Sequence, residues 1–193
     1  MVAGCRGQIG TALTNALIAE LGEANVIAAD LVESDPTIGC KYYKLDVTDK
    51  KTYKKIVETE EVDYILHLAA ILSSLGEQYP KLAYDVNVNG AANAFNIAME
   101  HDCQLFVPSS IAAFGGDVFQ KDMTPNDSIL QPKTIYGVTK VFNEGLGEYY
   151  ANKFDLDFRS IRYPGVISSQ KFAFNGTTDY STGKYTLFHL RLL

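Results

Sequence analysis

The 193-residue sequence predicts an α/β fold, a doubly wound parallel sheet with helices on both faces. Three observations predict it. Short apolar runs alternate with helical patterns along the chain, spaced glycines stand where the first run meets the first helix, and hydroxyl-bearing residues stand where a later run ends. Alternation of this kind marks strands joined by crossover helices, and a sheet covered on both faces needs strands that are apolar throughout.

In order along the chain, Met1-Val2-Ala3 reads as the end of a first strand. A central strand normally has about five residues, so this one is expected to be clipped. Gln8–Leu21 places Ile9, Leu13, Leu17 and Leu21 at four-residue steps, one face of a helix. Residues 26–29 form a short apolar strand ending at Asp30, and 42–45 another. Residues 49–60 predict a polar helix after the turn Asp46-Val47-Thr48-Asp49. The largely apolar run 62–69 suits a strand buried on both faces. Residues 80–101 predict one long helix with Val86, Ala94, Ile97 and Ala98 inward, and 105–108 a strand stopping at Ser109-Ser110. The Gly-, Pro- and Asp-rich stretch 115–132 reads as a loop, 134–154 as a helix, and 158–163 as a strand closed by Pro164-Gly165. That makes roughly six or seven strands, and such sheets bind ligands beyond their carboxyl ends, near the topological switch point.

Composition narrows the partners. Net charge is −6, from 17 Lys+Arg and 23 Asp+Glu, with no basic block, so neither nucleic acid nor an anionic membrane is expected. The longest apolar runs, such as 65–72, are interrupted (here by His67) and fall far below the roughly 20 residues of a membrane span. Cys5, Cys40 and Cys103 lack C-x-x-C spacing and read as reduced thiols of an intracellular protein. His67, His101 and His189 are scattered, so no metal site is expected. No targeting segment is visible, and the chain opens inside the glycine-rich loop.

That loop is Gly4-Cys5-Arg6-Gly7-Gln8-Ile9-Gly10, a G-x-x-G-x-x-G run between strand and helix. Glycines there permit a tight turn and let backbone N–H groups reach a pyrophosphate at the helix N-terminus. Asp30, at the end of the second strand, is placed to hydrogen-bond the adenosine ribose hydroxyls. A carboxylate there repels a 2′-phosphate, and Leu31 rather than Arg follows it, which favours NAD over NADP. The plain alternative is a surface Asp that merely ends a strand.

Tyr136-Gly137-Val138-Thr139-Lys140 opens a helix, and residues four apart share a helix face, so Tyr136 and Lys140 project into one space. The Lys140 ammonium, together with a cationic nicotinamide, favours a tyrosinate able to take an alcohol proton. Alone, such a pair also fits an ordinary helix surface. Ser110, ending a strand, can offer its hydroxyl to the same reacting oxygen.

Glycine loop, strand-end acid, serine and Y-x-x-x-K, in this order, resemble the Rossmann-like short-chain dehydrogenase/reductase family, and Ser-x-x-x-Phe-Gly from Ser110 its extended, epimerase-like branch. Longer strings are similar to the NAD-dependent L-threonine 3-dehydrogenases of that branch. They are Ala70-Ile71-Leu72-Ser73-Ser74-Leu75-Gly76-Glu77, Phe106-Val107-Pro108-Ser109-Ser110-Ile111-Ala112-Ala113-Phe114-Gly115, Lys133-Thr134-Ile135-Tyr136-Gly137-Val138-Thr139-Lys140, the stretch 157–168, and Gly176-Thr177-Thr178-Asp179-Tyr180. The last is the most specific.

The resemblance implies oxidation of the threonine 3-hydroxyl to 2-amino-3-oxobutanoate, with NAD accepting the hydride and no metal. It implies Ser110, Tyr136 and Lys140 as catalytic residues, Lys140 also holding the nicotinamide ribose. Gly4, Gly7, Gln8, Ile9, Gly10 and Asp30 would bind the cofactor. Asp46 and Val47 would flank adenine, Leu68, Ala69 and Ala70 would line pyrophosphate and ribose, residues from Tyr163 to Val166 would sit by nicotinamide, and Asn87, a structural polar group near the site, would count among the cofactor-binding residues. Ser73, Thr177, Thr178 and Asp179 would hold L-threonine beside Ser110 and Tyr136. On the plain readings, Ser73 is a helix cap and Thr177-Thr178 a turn.

The resemblance covers residues 1–180, expected to be one NAD-binding domain; 181–193 is a divergent tail, with the family's substrate lobe largely missing. Two alternatives stay open: an extended short-chain epimerase or reductase acting on a nucleotide sugar, and a truncated NAD-binding remnant without catalysis. For the family, a homodimer through the two long helices is usual. Animal members are mitochondrial and others cytoplasmic.

Overall fold

The computed structural model describes residues 1–33, 35–115 and 123–166. Six strands form one parallel sheet in the order β3-β2-β1-β4-β5-β7. They are β1 (Val2–Ala3), β2 (Ile27–Asp30), β3 (Lys41–Lys44), β4 (Tyr64–His67), β5 (Gln104–Phe106) and β7 (Phe158–Arg159). The chain runs outward from β1 to β3, returns to the other side of β1 for β4, and runs outward again. The Rossmann-like switch point therefore lies between β1 and β4, where Val2 pairs with both Ala28 and Leu66. The first strand is short, as its sequence implies, yet both its residues are fully buried and the Met1 ammonium donates to the Tyr64 carbonyl at 2.7 Å.

Helix α1 (Gln8–Leu21) follows the glycine loop, with the bounds its four-residue apolar step predicts. Helix α2 (Lys50–Thr59) starts where Asp49 accepts from the Lys51 and Thr52 backbone N–H groups, satisfying donors the helix leaves open. Helix α6 (Ile135–Phe154) is capped likewise by Thr134, whose hydroxyl accepts from Gly137 N at 3.1 Å.

The helix expected over 80–101 is one rod with a change of winding: α4 (Pro80–Tyr84), a π-helical stretch (Asp85–Gly90), then α5 (Ala91–Glu100). Periodicity cannot show this, because the cause is tertiary. Asn87 is buried in the wide turn, where its side chain accepts from Ile71 N and donates to Ile71 O and Thr139 Oγ1, and its carbonyl accepts from Asn143. Insertions of this type gather at functional sites.

Two further differences matter for the site. A short helix, α3 (Ser73–Gln78), begins after Leu72, so Ser73 is its first residue and not its cap. The strand expected over 158–163 is split: β7 stays in the main sheet, while β8 (Arg162–Tyr163) pairs with β6 (Ser109–Ser110) in a separate two-stranded sheet. Pro108 stands at the break on the facing segment. It has no N–H for a ladder, and its carbonyl is taken by Lys140 Nζ at 2.7 Å.

Ala94, Ile97 and Ala98 are fully buried as expected, and Val86 packs partly buried against the same core. Phe95 lies at its centre, with ring centroids 5.5 Å from Tyr150 and 5.2 Å from Phe158. Phe95→Ala is expected to cost about 3–5 kcal/mol of stability, measured by denaturant unfolding. Among the described residues no helix is long and apolar enough to cross a membrane, and no three of His, Cys, Asp and Glu gather as a metal site would need.

Candidate active site

Beyond the carboxyl ends of β1, β4 and β5 opens a cleft of about 560 Å³. Gly4, Gly7, Gln8, Ile9 and Gly10 line one part, Leu68, Ala70 and Ser73 another, and Ser110, Tyr136, Lys140 and Tyr163 the rest.

The three glycines do different things. Gly4 has φ +87°, and a Cβ there would stand 2.6 Å from Ala69 N, so this turn admits only glycine beside β4. A Cβ on Gly10 would stand 2.1 Å from the Gly4 carbonyl oxygen, which seats the first turn of α1 directly on the loop. A Cβ on Gly7 would meet only Gly4 O, at 3.3 Å. Gly7 is also the N-cap of α1 and offers no side-chain cap, so the first backbone donors of the helix face the cleft. A cradle of close-packed glycines under an uncapped helix start fits a dinucleotide pyrophosphate. Gln8 Nε2 donates to Val166 O at 3.1 Å, tying the loop to the segment after β8.

Asp30 lies outside the cleft lining, at the end of β2. Its carboxylate accepts from Arg6 N at 2.9 Å and Leu31 N at 2.8 Å, which fixes its orientation at the rim of the glycine loop. Asp46 folds back on its own turn, accepting from Thr48 N and Oγ1. Val47 is buried under Gly90, and Ala69 contributes backbone against Gly4. Asn87 also stays out of the cleft and anchors the backbone of Ile71 instead, as a structural polar group. Thr177, Thr178 and Asp179 lie outside the described residues.

At the other end, Tyr136 and Lys140 share one face of α6, with Lys140 Nζ 5.3 Å from the Tyr136 ring centroid. Lys140 is almost fully buried, and burial lowers its pKa to about 8, against an opposing pull from the Glu144 carboxylate. Burial raises the Tyr136 phenol, and its hydrogen bond with Ser110 works the other way. The sequence led us to expect the lysine charge to govern the tyrosine; in the protein without cofactor, desolvation dominates. The Ser110 hydroxyl also accepts from Ala112 N at 3.1 Å, capping the turn that follows. Beneath the site His67 is fully buried against Tyr53, and burial, then the Lys140 charge, pushes its pKa down to about 3, so the ring stays neutral.

Sequence reasoning missed a network that holds this end together. Glu144, four residues beyond Lys140 on the same helix face, accepts from the Ser109 hydroxyl and from Arg162 Nε and Nη2 at 2.8 and 2.6 Å. Arg162 also lies 4.7 Å over the Phe114 ring. Burial pushes the Glu144 carboxyl up, and the Arg162 and Ser109 hydrogen bonds more than offset it, leaving it below its ordinary range. The continuing four-residue step 136, 140, 144 was the available signal.

Residues 1–192 match the model of the NAD dependent epimerase/dehydratase family. The chain belongs to that family. Among its relatives, an uncharacterized epimerase/dehydratase of Staphylococcus haemolyticus is 42% identical over 188 residues, covering 96% of this chain and 59% of that protein. Among solved structures, a monomeric L-threonine 3-dehydrogenase from a metagenome superposes with a TM-score of 0.92 at 45% identity, covering 95% of this chain and 59% of that one. The L-threonine 3-dehydrogenase of Trypanosoma brucei gives 0.90 at 43% identity, covering 95% and 58%. The chain thus spans a little under three fifths of the length of these relatives.

Proposed function

We propose that this chain binds NAD across the switch point and oxidises the 3-hydroxyl of L-threonine to 2-amino-3-oxobutanoate. The observation that carries the reading is the convergence of Ser110, Tyr136 and Lys140 in one cleft whose opposite wall is the glycine loop. Likeness to L-threonine 3-dehydrogenases above 40% identity favours threonine over a nucleotide sugar.

The chain's own residues divide the work. Backbone N–H groups from Gly7 onward would hold the pyrophosphate, and Asp30 the adenosine ribose hydroxyls. When bound, NAD supplies the acceptor for the hydride that leaves the substrate carbon. Ser110 would donate to the substrate oxygen, and Tyr136 would take its proton. Lys140, held by the Pro108 carbonyl, keeps a positive charge below the tyrosine ring. Ser73, at the cleft wall, would contact the amino acid, together with Thr177, Thr178 and Asp179.

The test is threonine-dependent NADH formation by the purified chain. Burial lowers Lys140 to about 8, so the positive charge it keeps below the tyrosine ring is present below about pH 8 and lost above it. The rate should therefore fall as pH rises through about 8. The same lysine makes a stability prediction. Between pH 8 and 10.5 the unfolded chain binds the proton that folded Lys140 has released, so this group makes stability rise with pH in that window. NAD binding without turnover would remove the threonine reading and leave the cofactor reading; turnover of a UDP-sugar would replace it.

A further inference from the structure

Arg6 is the one basic residue of the glycine loop. It sits at the adenosine end. Its backbone N–H donates to Asp30 Oδ2 at 2.9 Å, so it adjoins the carboxylate that would meet the ribose hydroxyls. Its guanidinium turns away to Asp35, with Nε 2.7 Å from Oδ2. Asp35 is itself anchored, since its other oxygen accepts from Thr37 N at 3.0 Å and Thr37 Oγ1 at 2.6 Å. The Asp35 side chain is only 13% exposed, while that of Arg6 is 38% exposed and within reach of solvent at the rim. Of the nearby charges, Glu33 is taken up by Lys44.

Two carboxylates and one guanidinium thus meet where the two nicotinamide cofactors differ, by a 2′-phosphate. An unengaged arginine at that place is a phosphate ligand, since its fork of donors matches phosphate oxygens. We propose that the Arg6–Asp35 ion pair is a second specificity determinant, withholding the guanidinium from a 2′-phosphate so that selection for NAD rests on Asp35 as well as Asp30. This rests on the cofactor half of the reading above and needs no catalysis.

The test is equilibrium binding of NADH and NADPH to the purified chain, followed by nucleotide fluorescence, with 5′-AMP and 2′,5′-ADP as fragment controls. Asp35→Asn keeps an oxygen for Thr37 and removes the charge facing Arg6. It should shift the NADPH-to-NADH affinity ratio toward NADPH on the order of tenfold, the worth of one gained charge-assisted hydrogen bond. Adding Arg6→Ala should erase that gain, whereas Arg6→Ala alone should leave the ratio within about twofold of the parent. An unchanged ratio in Asp35→Asn overturns the proposal. So does a gain that survives loss of Arg6. Failure of the parent chain to bind either nucleotide would instead sink the cofactor reading together with this inference, and is told apart by the parent measurement alone.

Discussion

Tyr136→Phe is expected to lower threonine-dependent NADH formation by about 10²–10⁴-fold, the usual contribution of a positioned proton acceptor. The substitution keeps the ring and its place over Lys140 and removes one hydroxyl, so folding and NADH affinity should change little. What is lost is the oxygen that hydrogen-bonds with Ser110 and is placed to receive the substrate proton. Unfolding midpoints and NADH titrations of parent and variant separate a chemical defect from a structural one. A variant that turns over at the parental rate would remove Tyr136 from the mechanism.

Gly10→Ala should act through the backbone. Its Cβ would stand 2.1 Å from Gly4 O and 2.9 Å from the Cys5 backbone, contacts that no rotamer change can relieve. Either α1 lifts from the loop or the loop leaves β1, and both move the donors that face the pyrophosphate. We expect a loss of about 1–3 kcal/mol in stability, as overpacking generally costs. NADH affinity should fall on the order of a hundredfold, about 2.7 kcal/mol. Gly145 supplies the control within the same protein. It lies inside α6 with nothing near its would-be Cβ, so Gly145→Ala should stabilise the chain by about 0.5–1 kcal/mol and leave NADH binding unaffected. Equal losses at both glycines would mean that α1 is not seated on the loop as described.

Much of the fold was legible because its signals are local. The four-residue apolar step of α1 lies within a single helix, and α1, α2 and α6 each begin close to where the sequence places them. The 158–163 strand was legible only as an extended stretch. Which sheet each half joins depends on what lies opposite, and opposite lies Pro108 with its carbonyl claimed by Lys140. The winding of 80–101 was hidden for the same reason: a buried Asn87 bonding to residues 71, 139 and 143 leaves no trace in periodicity.

By itself the sequence determined the chemistry on offer. Spacing within one loop puts Gly4, Gly7 and Gly10 under a helix start, and spacing within one helix puts Tyr136 and Lys140 on one face, whatever the rest of the chain does. The tertiary structure alone decided the electrical state of those groups. Lys140 is pulled down to about 8 because the fold buries it, Glu144 on α6 is kept charged by Arg162 from β8, and Arg6 is held by Asp35 from across the rim. Such states depend on desolvation and on charges brought together from distant parts of the chain, and those are properties of the packed molecule rather than of any short stretch of it.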